Sequence, residues 1–501
     1  MRKINKIFLF ILILCAGLAL RLLIHLNGPL SVDEICSWAV ARRTPFIAMW
    51  NAALSDPTPP LYYTILHFII RFLGESAAVM RIPSVLCGVL ILPITYWTMH
   101  RASFDNEDGY YAMSLVAVSS VLIFYSQELR AYSLLAFMGV LSVCLLFRCL
   151  TNATMSNNLF YSISIFVLSY THRYGFFLII AQGICLCLYR KWKTLIPALL
   201  TFALAGILSV LQIIQGNLNY SEAPDRVASF GAVIALINML NLGTMYLPSV
   251  TSSQPGPYVA YSNIYVNIGL SLLGVITFTT IFLIGVLKRR EFSPVQKQCI
   301  IVLLICCFMP GMLGLLSGTK LVPKPQWLLR GLIYICPLYY MAAVMLCSKS
   351  RLKLCLLSLI VILNASVLYP YYTDYNRCRE ADALKKLGDQ TTSNDLIVAN
   401  PWYFYEVINY YCHGTAQKAG YDSITGRGWI NLKKLQESDG PFDYRYLPLA
   451  SAPAITGDVY FFFLINDEQC IRPFTNNEIF LYKSNVKKSW ERYAMKEEKG
   501  N

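Results

Sequence analysis

Met1-Arg-Lys-Ile-Asn-Lys6, an apolar run from Ile7 to Leu26, and then Ser31-Val32-Asp33-Glu34: these opening residues decide how the rest of the chain is read. As a helix, an apolar run of about 20 residues spans a hydrocarbon layer of ~30 Å. A secretory signal has the same charged start, but this run outlasts an ordinary apolar core and no clear cleavage site follows it. It therefore reads as a retained first helix. Two adjacent carboxylates at a membrane exit are costly to take out of water. Asp33 and Glu34 thus either cap a solvated helix or carry chemistry, and on those residues alone both readings stay open.

The apolar pattern recurs throughout the 501 residues, of which 56% are hydrophobic and 14% charged. A soluble surface needs roughly a quarter of its residues charged, so the composition describes a polytopic α-helical membrane protein. Further spans are expected at 78–99, 109–125, 130–150, 157–171, 174–190, 194–214, 264–287, 298–317, 328–347 and 353–370, about eleven in all with the first. The formal charge of +14 does not point to nucleic acid, because Lys and Arg sit in short clusters between apolar runs. With the N-terminus in the cytoplasm, even-numbered spans end at His100-Arg101, Arg148, Arg190-Lys191-Trp192-Lys193, Lys288-Arg289-Arg290 and Lys349 through Lys353. Every one obeys the positive-inside rule. Of the sixteen cysteines, most lie in apolar runs as small hydrophobes, and no spacing suggests a zinc site.

The same parity gathers the unusual polar residues on the opposite, outer face. They are Asp33, Glu34, Thr58-Pro59-Pro60, Glu128-Leu129-Arg130, Thr171-His172-Arg173-Tyr174 and the stretch Lys320 to Arg330. A transporter keeps its ionisable groups nearer the midplane. In the long first outer loop, 27–77, Leu61 to Leu73 is amphipathic and expected to lie along the interface. The segment 215–262, rich in Asn, Ser, Pro and Tyr, is expected to form a cover. From 371 to 501 the composition becomes charged, with strand-like runs at Leu396–Ala399 and Val459–Leu464, so an extracytoplasmic α/β domain is expected after a transmembrane domain at 1–370.

Several stretches together resemble a family. Asp33-Glu34 after the first helix, followed by Pro59-Pro60-Leu61-Tyr62-Tyr63, resembles the GT-C class of membrane glycosyltransferases. Within it, the resemblance is to the protein-mannosyltransferase-like branch that includes aminoarabinose transferases. Arg81-Ile82-Pro83-Ser84, Tyr125 through Ser133 and Thr171 through Phe177 extend the similarity over roughly residues 1–370. Many members have His-Pro-Pro where this chain has Thr58-Pro59-Pro60, which puts any imidazole-dependent role there in doubt.

The resemblance implies an inverting transfer of a sugar from a polyprenyl-phosphate donor to a glycan, lipid or protein acceptor at the outer face of the cytoplasmic membrane. The acceptor hydroxyl must lose a proton as it attacks, so a carboxylate must reach it. The resemblance makes Asp33 that base, with Glu34 supporting the site or contacting the acceptor. The leaving phosphate calls for fixed cations: Arg130 first, then Lys324 and Arg330, with Arg81, Arg173 and Lys320 as further candidates. Glu128, Tyr132, His172 and Tyr62 are weaker substrate-binding candidates. No cofactor is firm, and a divalent cation is left open. Expected partners are the lipid-linked donor, membrane lipids and the acceptor. The alternative is a transporter or flippase of a lipid-linked saccharide, which would need neither the Asp-Glu loop nor an outer domain. A receptor or assembly subunit with a degenerate site comes third.

Overall fold

The computed structural model describes residues 2–22, 26–215, 227–228, 230–244, 264–321, 327–373, 381–390, 396–400, 404–413, 417–420, 459–464, 479–485 and 489–494. They fall into two compact units, one formed by most of the chain to Tyr375 and one that joins Pro29–Ala39 to the residues from 376 onward.

In chain order the helices are α1 (Arg2–Leu22), α2 (Val32–Ala41), α3 (Phe46–Leu54), α4 (Leu61–Leu73), α5 (Ala77–Arg101), α6 (Asn106–Val118), α7 (Ser120–Ser126) and α8 (Tyr132–Thr151). There follow α9 (Met155–Thr171), α10 (Gly175–Leu188), α11 (Trp192–Gln215), α12 (Phe230–Asn241), α13 (Ile264–Leu287), α14 (Pro294–Ser317), α15 (Ile335–Cys347) and α16 (Lys353–Thr373). Each apolar segment expected to cross the membrane is thus helical. Among the described residues five helices are individually long and apolar enough to span, or six counting α6 and α7 as one bent span. Large apolar side chains such as Leu200 (68% exposed) and Leu287 (79% exposed) face outward, which only a lipid surround accommodates. The protein is a multi-pass membrane protein.

Local sequence sets the helix starts. The Ser76 hydroxyl accepts the Val79 N–H at the head of α5, and Asp105 accepts that of Asp108 at α6. Ser293 and Gln296 form a reciprocal capping box before α14, with Pro294 in its first turn. At the same head of α6, Lys353 pairs with buried Asp108, and its ammonium lies 4.5 Å over the Tyr111 ring, tying α16 to α6.

Two expected spans differ in detail. The run 109–125 is broken at Ser119 into α6 and α7 with a 60° bend. The run 328–347 begins with a 3-10 turn, Leu329–Leu332, and turns α-helical only at Ile335. The turn forms because the Leu328 N–H donates to the Tyr174 hydroxyl at 2.8 Å, while a Cβ at Gly331 would meet the Tyr174 ring at 2.7 Å. The amphipathic stretch Leu61–Leu73 is α4, burying Tyr62, Tyr63, Leu66 and His67 and exposing Phe68 and Phe72. Part of the expected cover is the helix α12; its remainder, apart from 215, 227–228 and 242–244, lies outside the described residues.

In the second unit, residues after 376 give α17 (Ala381–Gln390), β1 (Leu396–Asn400), α18 (Phe404–Tyr411), β2 (Gln417–Gly420), β3 (Val459–Leu464), β4 (Ile479–Asn485) and β5 (Ser489–Ala494). The strands form one mixed sheet in the order β2-β1-β3-β4-β5. β1 runs parallel to both neighbours, with Val398 opposite Ala419 and Phe461, and β3, β4 and β5 are antiparallel. The strand-like runs read from the sequence are β1 and β3.

Candidate functional site

A break in a membrane helix exposes backbone carbonyls that lipid cannot satisfy. Here Arg21, fully buried on α1, supplies the donors. Its guanidinium donates to the carbonyls of Ala117 and Val116, both at 3.1 Å, and of Gly17 at 2.9 Å. On the other side of the break, the Ser120 N–H donates to Asn364 Oδ1 at 3.2 Å, and Asn364 Nδ2 donates to the carbonyl of Asn241 at 3.0 Å. The Gln127 amide donates to the carbonyls of Leu20 and Arg21 at 3.3 and 3.1 Å and accepts the Tyr371 hydroxyl at 2.5 Å. These bonds fix the end of α7 and with it the turn Gln127–Ala131. A lone Arg and a lone Asn inside apolar helices were the signal for this network.

Three of the sequence motifs meet at that turn. Tyr62 Oη lies 2.9 Å from Ser84 Oγ, which donates in turn to the Arg130 carbonyl at 3.3 Å. Tyr62 thus braces the Arg130 backbone through Ser84. Arg81, a candidate for phosphate, is buried and donates to the carbonyls of Leu26 at 2.7 Å and Gly28 at 3.0 Å. In this arrangement it anchors the chain just before Pro29. Glu128 is buried in the same turn as Arg130.

Cations collect around His172, at the turn between α9 and α10. Burial first, and then the positive charges of Arg330, Arg130 and Arg173, hold its imidazole at a pKa of about 3, against 6.5 for an ordinary histidine. The ring is therefore neutral, and its Nδ1 accepts the Tyr174 N–H at 3.2 Å, which places the proton on Nε2. Tyr132 stands 5.7 Å from the His172 ring and carries the Arg330 guanidinium 5.4 Å from its centroid. Arg130, Arg173 and Arg330 are each half-buried, so their charges are concentrated but reachable. The opposing charge comes from Asp56, which acts on Arg173 and takes the Thr58 N–H at 2.7 Å. Gln212 of α11 pins this loop by donating to the carbonyls of Asp56 and Thr58, at 3.2 and 3.4 Å. The positive charges of three guanidinium groups are thus concentrated about one imidazole. Arg173 belongs to this group as fully as Arg130 and Arg330. Lys324 lies outside the described residues.

In the second unit, Ser31, Asp33 and Glu34 open α2. The Glu34 N–H donates to Ser31 Oγ at 3.4 Å and the Ser31 N–H to Glu34 Oε2 at 2.9 Å, the reciprocal bonds of a capping box. Glu34 is fully buried and held by this role, whereas Asp33, one residue earlier, is half-buried. The pattern Ser-x-x-Glu was legible in the sequence as a helix start. Among the described residues no group of three or more His, Cys, Asp or Glu is placed to hold a metal ion.

No family model and no curated protein matches the sequence. Solved structures do match. The chain superposes on ArnT from Cupriavidus metallidurans bound to undecaprenyl phosphate with a TM-score of 0.52 at 10% identity, covering 92% of this chain and 93% of that one. The apo state of the same ArnT gives 0.52 at 11% identity, covering 84% and 86%. This chain has the GT-C fold. An archaeal oligosaccharyltransferase, AglB from Archaeoglobus fulgidus in complex with an inhibitory peptide and a dolichol-phosphate, also matches, with a TM-score of 0.49 at 12% identity over 92% of this chain and 70% of its own. At these identities, GT-C describes the path of the backbone; the chemistry is argued from the residues above.

Proposed function

We propose that the protein is a GT-C glycosyltransferase that moves a sugar from a polyprenyl-phosphate-linked donor to an acceptor hydroxyl, with inversion at the anomeric carbon. The observation that carries this reading is the convergence of Arg130, Arg173 and Arg330 about a neutral His172. Lipid-phosphate binding by ArnT, seen in its complex with undecaprenyl phosphate, supports it.

In this reading Asp33 is the general base. It takes the acceptor proton as the acceptor oxygen bonds to the anomeric carbon and the bond from that carbon to the phosphate oxygen breaks. The electron pair leaves on the polyprenyl phosphate, whose growing charge Arg130, Arg173 and Arg330 stabilise. Lys324 is a further cation for this task, from its sequence position. Glu34 fixes the start of α2 and so supports the base, and Arg81 anchors the chain that leads to it. Tyr62 holds the Arg130 turn, while Glu128, Tyr132 and His172 shape its surroundings. Residues 1–370 form the transmembrane enzyme, and 371–501 an α/β domain outside the cytoplasm. In this reading the membrane is the inner one and the N-terminus is cytoplasmic, an orientation supported by the basic clusters at the even-numbered span ends.

The test is a mass-spectrometric comparison of envelope glycolipids, polysaccharides and glycoproteins. It uses a deletion strain and the same strain carrying wild type or Asp33→Asn. One sugar modification should vanish on deletion, return with wild type and stay absent with Asp33→Asn at equal protein abundance. Restoration by Asp33→Asn removes the base and moves the flippase reading ahead.

A further inference from the structure

The second unit contains both the Asp33 segment and the residues after 376, and it shows how one is held by the other. The Tyr411 hydroxyl, on α18, donates to the Leu30 carbonyl at 2.9 Å, and both residues are buried. Leu30 precedes the first residue of the Ser31–Glu34 capping box, so this bond fixes where α2 begins. One turn further on, Trp38 meets the neighbouring Tyr410 edge to face, with centroids 4.9 Å apart at 81°. Lys385 of α17 lies 5.9 Å from the Tyr411 ring centroid, backing the same tyrosine.

The geometry of a helix says which way Asp33 is left pointing. Glu34 and Trp38 are one turn apart on one face, and with Ile35 they are buried. Asp33 is five residues before Trp38, so the two directions diverge by about 140° around the helix. The contact with Tyr410 therefore grips the side of α2 away from Asp33 and stops the helix from rolling, while Tyr411 stops it from sliding. The Ser37 hydroxyl also donates to the Asp33 carbonyl at 3.2 Å, which stiffens the turn that carries the carboxylate.

We infer that α18 is a positioning element for the reaction, with Tyr411 as the residue that sets the placement of the Asp33 carboxylate. The inference rests on Asp33 being the base. It gives the C-terminal residues a catalytic purpose without any contact to substrate. A carboxylate misplaced by ~1 Å can cost on the order of a hundredfold in rate. Loss of one of the two restraints on α2 should cost roughly tenfold.

The test uses the full chain. Tyr411→Phe removes only the hydroxyl, and Tyr410→Ala removes the face that meets Trp38. Each is compared with wild type and Asp33→Asn in the complementation assay at matched abundance. On purified protein, deuterium uptake at residues 30–39 and the thermal shift given by undecaprenyl phosphate are measured. The expected result for both variants is a roughly tenfold fall in product and faster exchange across 30–39, with the undecaprenyl phosphate shift unchanged. Normal product in Tyr411→Phe, with Asp33→Asn inactive, overturns the positioning role and leaves the base in place. A collapse of the undecaprenyl phosphate shift alongside the product also overturns it, because the effect is then a general loss of structure. Full activity in Asp33→Asn removes the base reading and this inference with it.

Discussion

Replacing Gly139 by alanine should damage both stability and activity, while the same change at Gly183, in the adjacent helix α10, should do neither. At Gly139 in α8 an added Cβ would sit 2.6 Å from Tyr334 Cβ, 3.3 Å from Tyr334 Cγ and 3.4 Å from Leu178 Cδ2. Carbon atoms rest about 3.5–4.0 Å apart, so Tyr334 must retreat by roughly 1 Å. Its Cβ is fixed to the backbone, so no rotamer change relieves the clash and the head of α15 must shift. Overpacking of this kind costs about 1–3 kcal/mol, against a gain of about 0.5–1 kcal/mol from Gly to Ala in a helix. The net expectation is a loss of roughly 0.5–2 kcal/mol. At Gly183 nothing lies within 4 Å of the added methyl, so only the gain remains. Tyr334 Oη donates to the Tyr174 carbonyl at 2.9 Å, and the Arg330 turn lies just before it. The Gly139 variant should therefore also lose transfer activity. The assay is thermal unfolding of the two purified variants in one detergent, with product levels measured in cells. If Gly139→Ala melts no lower than Gly183→Ala, the α8–α15 contact is not as tight as argued and the reasoning fails.

Arg21→Met should destabilise by roughly 2–6 kcal/mol, because the carbonyls of Val116 and Ala117 lose their donor, at about 1–3 kcal/mol for each orphaned group; an unchanged melting temperature would show the break to be satisfied some other way. For His172 the unfolded chain binds a proton near pH 6.5 and the folded protein not until about 3. Between those values the unfolded state holds more protons, so this contribution is complete above about 6.5 and is lost as the pH falls toward 3. His172→Gln should accordingly lose less stability than wild type between pH 6.5 and 4, and parallel melting curves would contradict the burial argument. Arg330→Ala should weaken undecaprenyl phosphate binding about tenfold or more, as expected for a lost charged hydrogen bond of about 1.5–3 kcal/mol, and an unchanged thermal shift would take Arg330 out of the anion site.

How much of this was legible depended on whether the cause was local. Apolar length alone located the long apolar helices, and amphipathic spacing located α4. The break between α6 and α7 was not legible, because Ser119 and Ser120 read as two small polar residues in an apolar run. What makes them a break is Asn364, 244 positions away, which takes the Ser120 N–H. The 3-10 turn before α15 likewise depends on Tyr174, supplied from another turn. Within the site, residue type suggested charge chemistry for both Arg81 and Arg173. Only the fold separates them, since Arg81 is committed to two backbone carbonyls and Arg173 joins the charges around His172. Glu34 was read for chemistry although its spacing to Ser31 already described a cap.

The chain of contacts from Tyr62 through Ser84 to the Arg130 carbonyl has a consequence for recombination. Its three members come from parts of the gene far enough apart to be inherited separately. A graft that imports the first loop from a relative, without its own partner for position 84, would leave a hydroxyl facing the wrong shape and loosen the arginine turn. Tyr62, Ser84 and the Arg130 turn should therefore be exchanged together. Chimeras that respect this block, rather than the visible loop boundaries, are the ones that should retain activity.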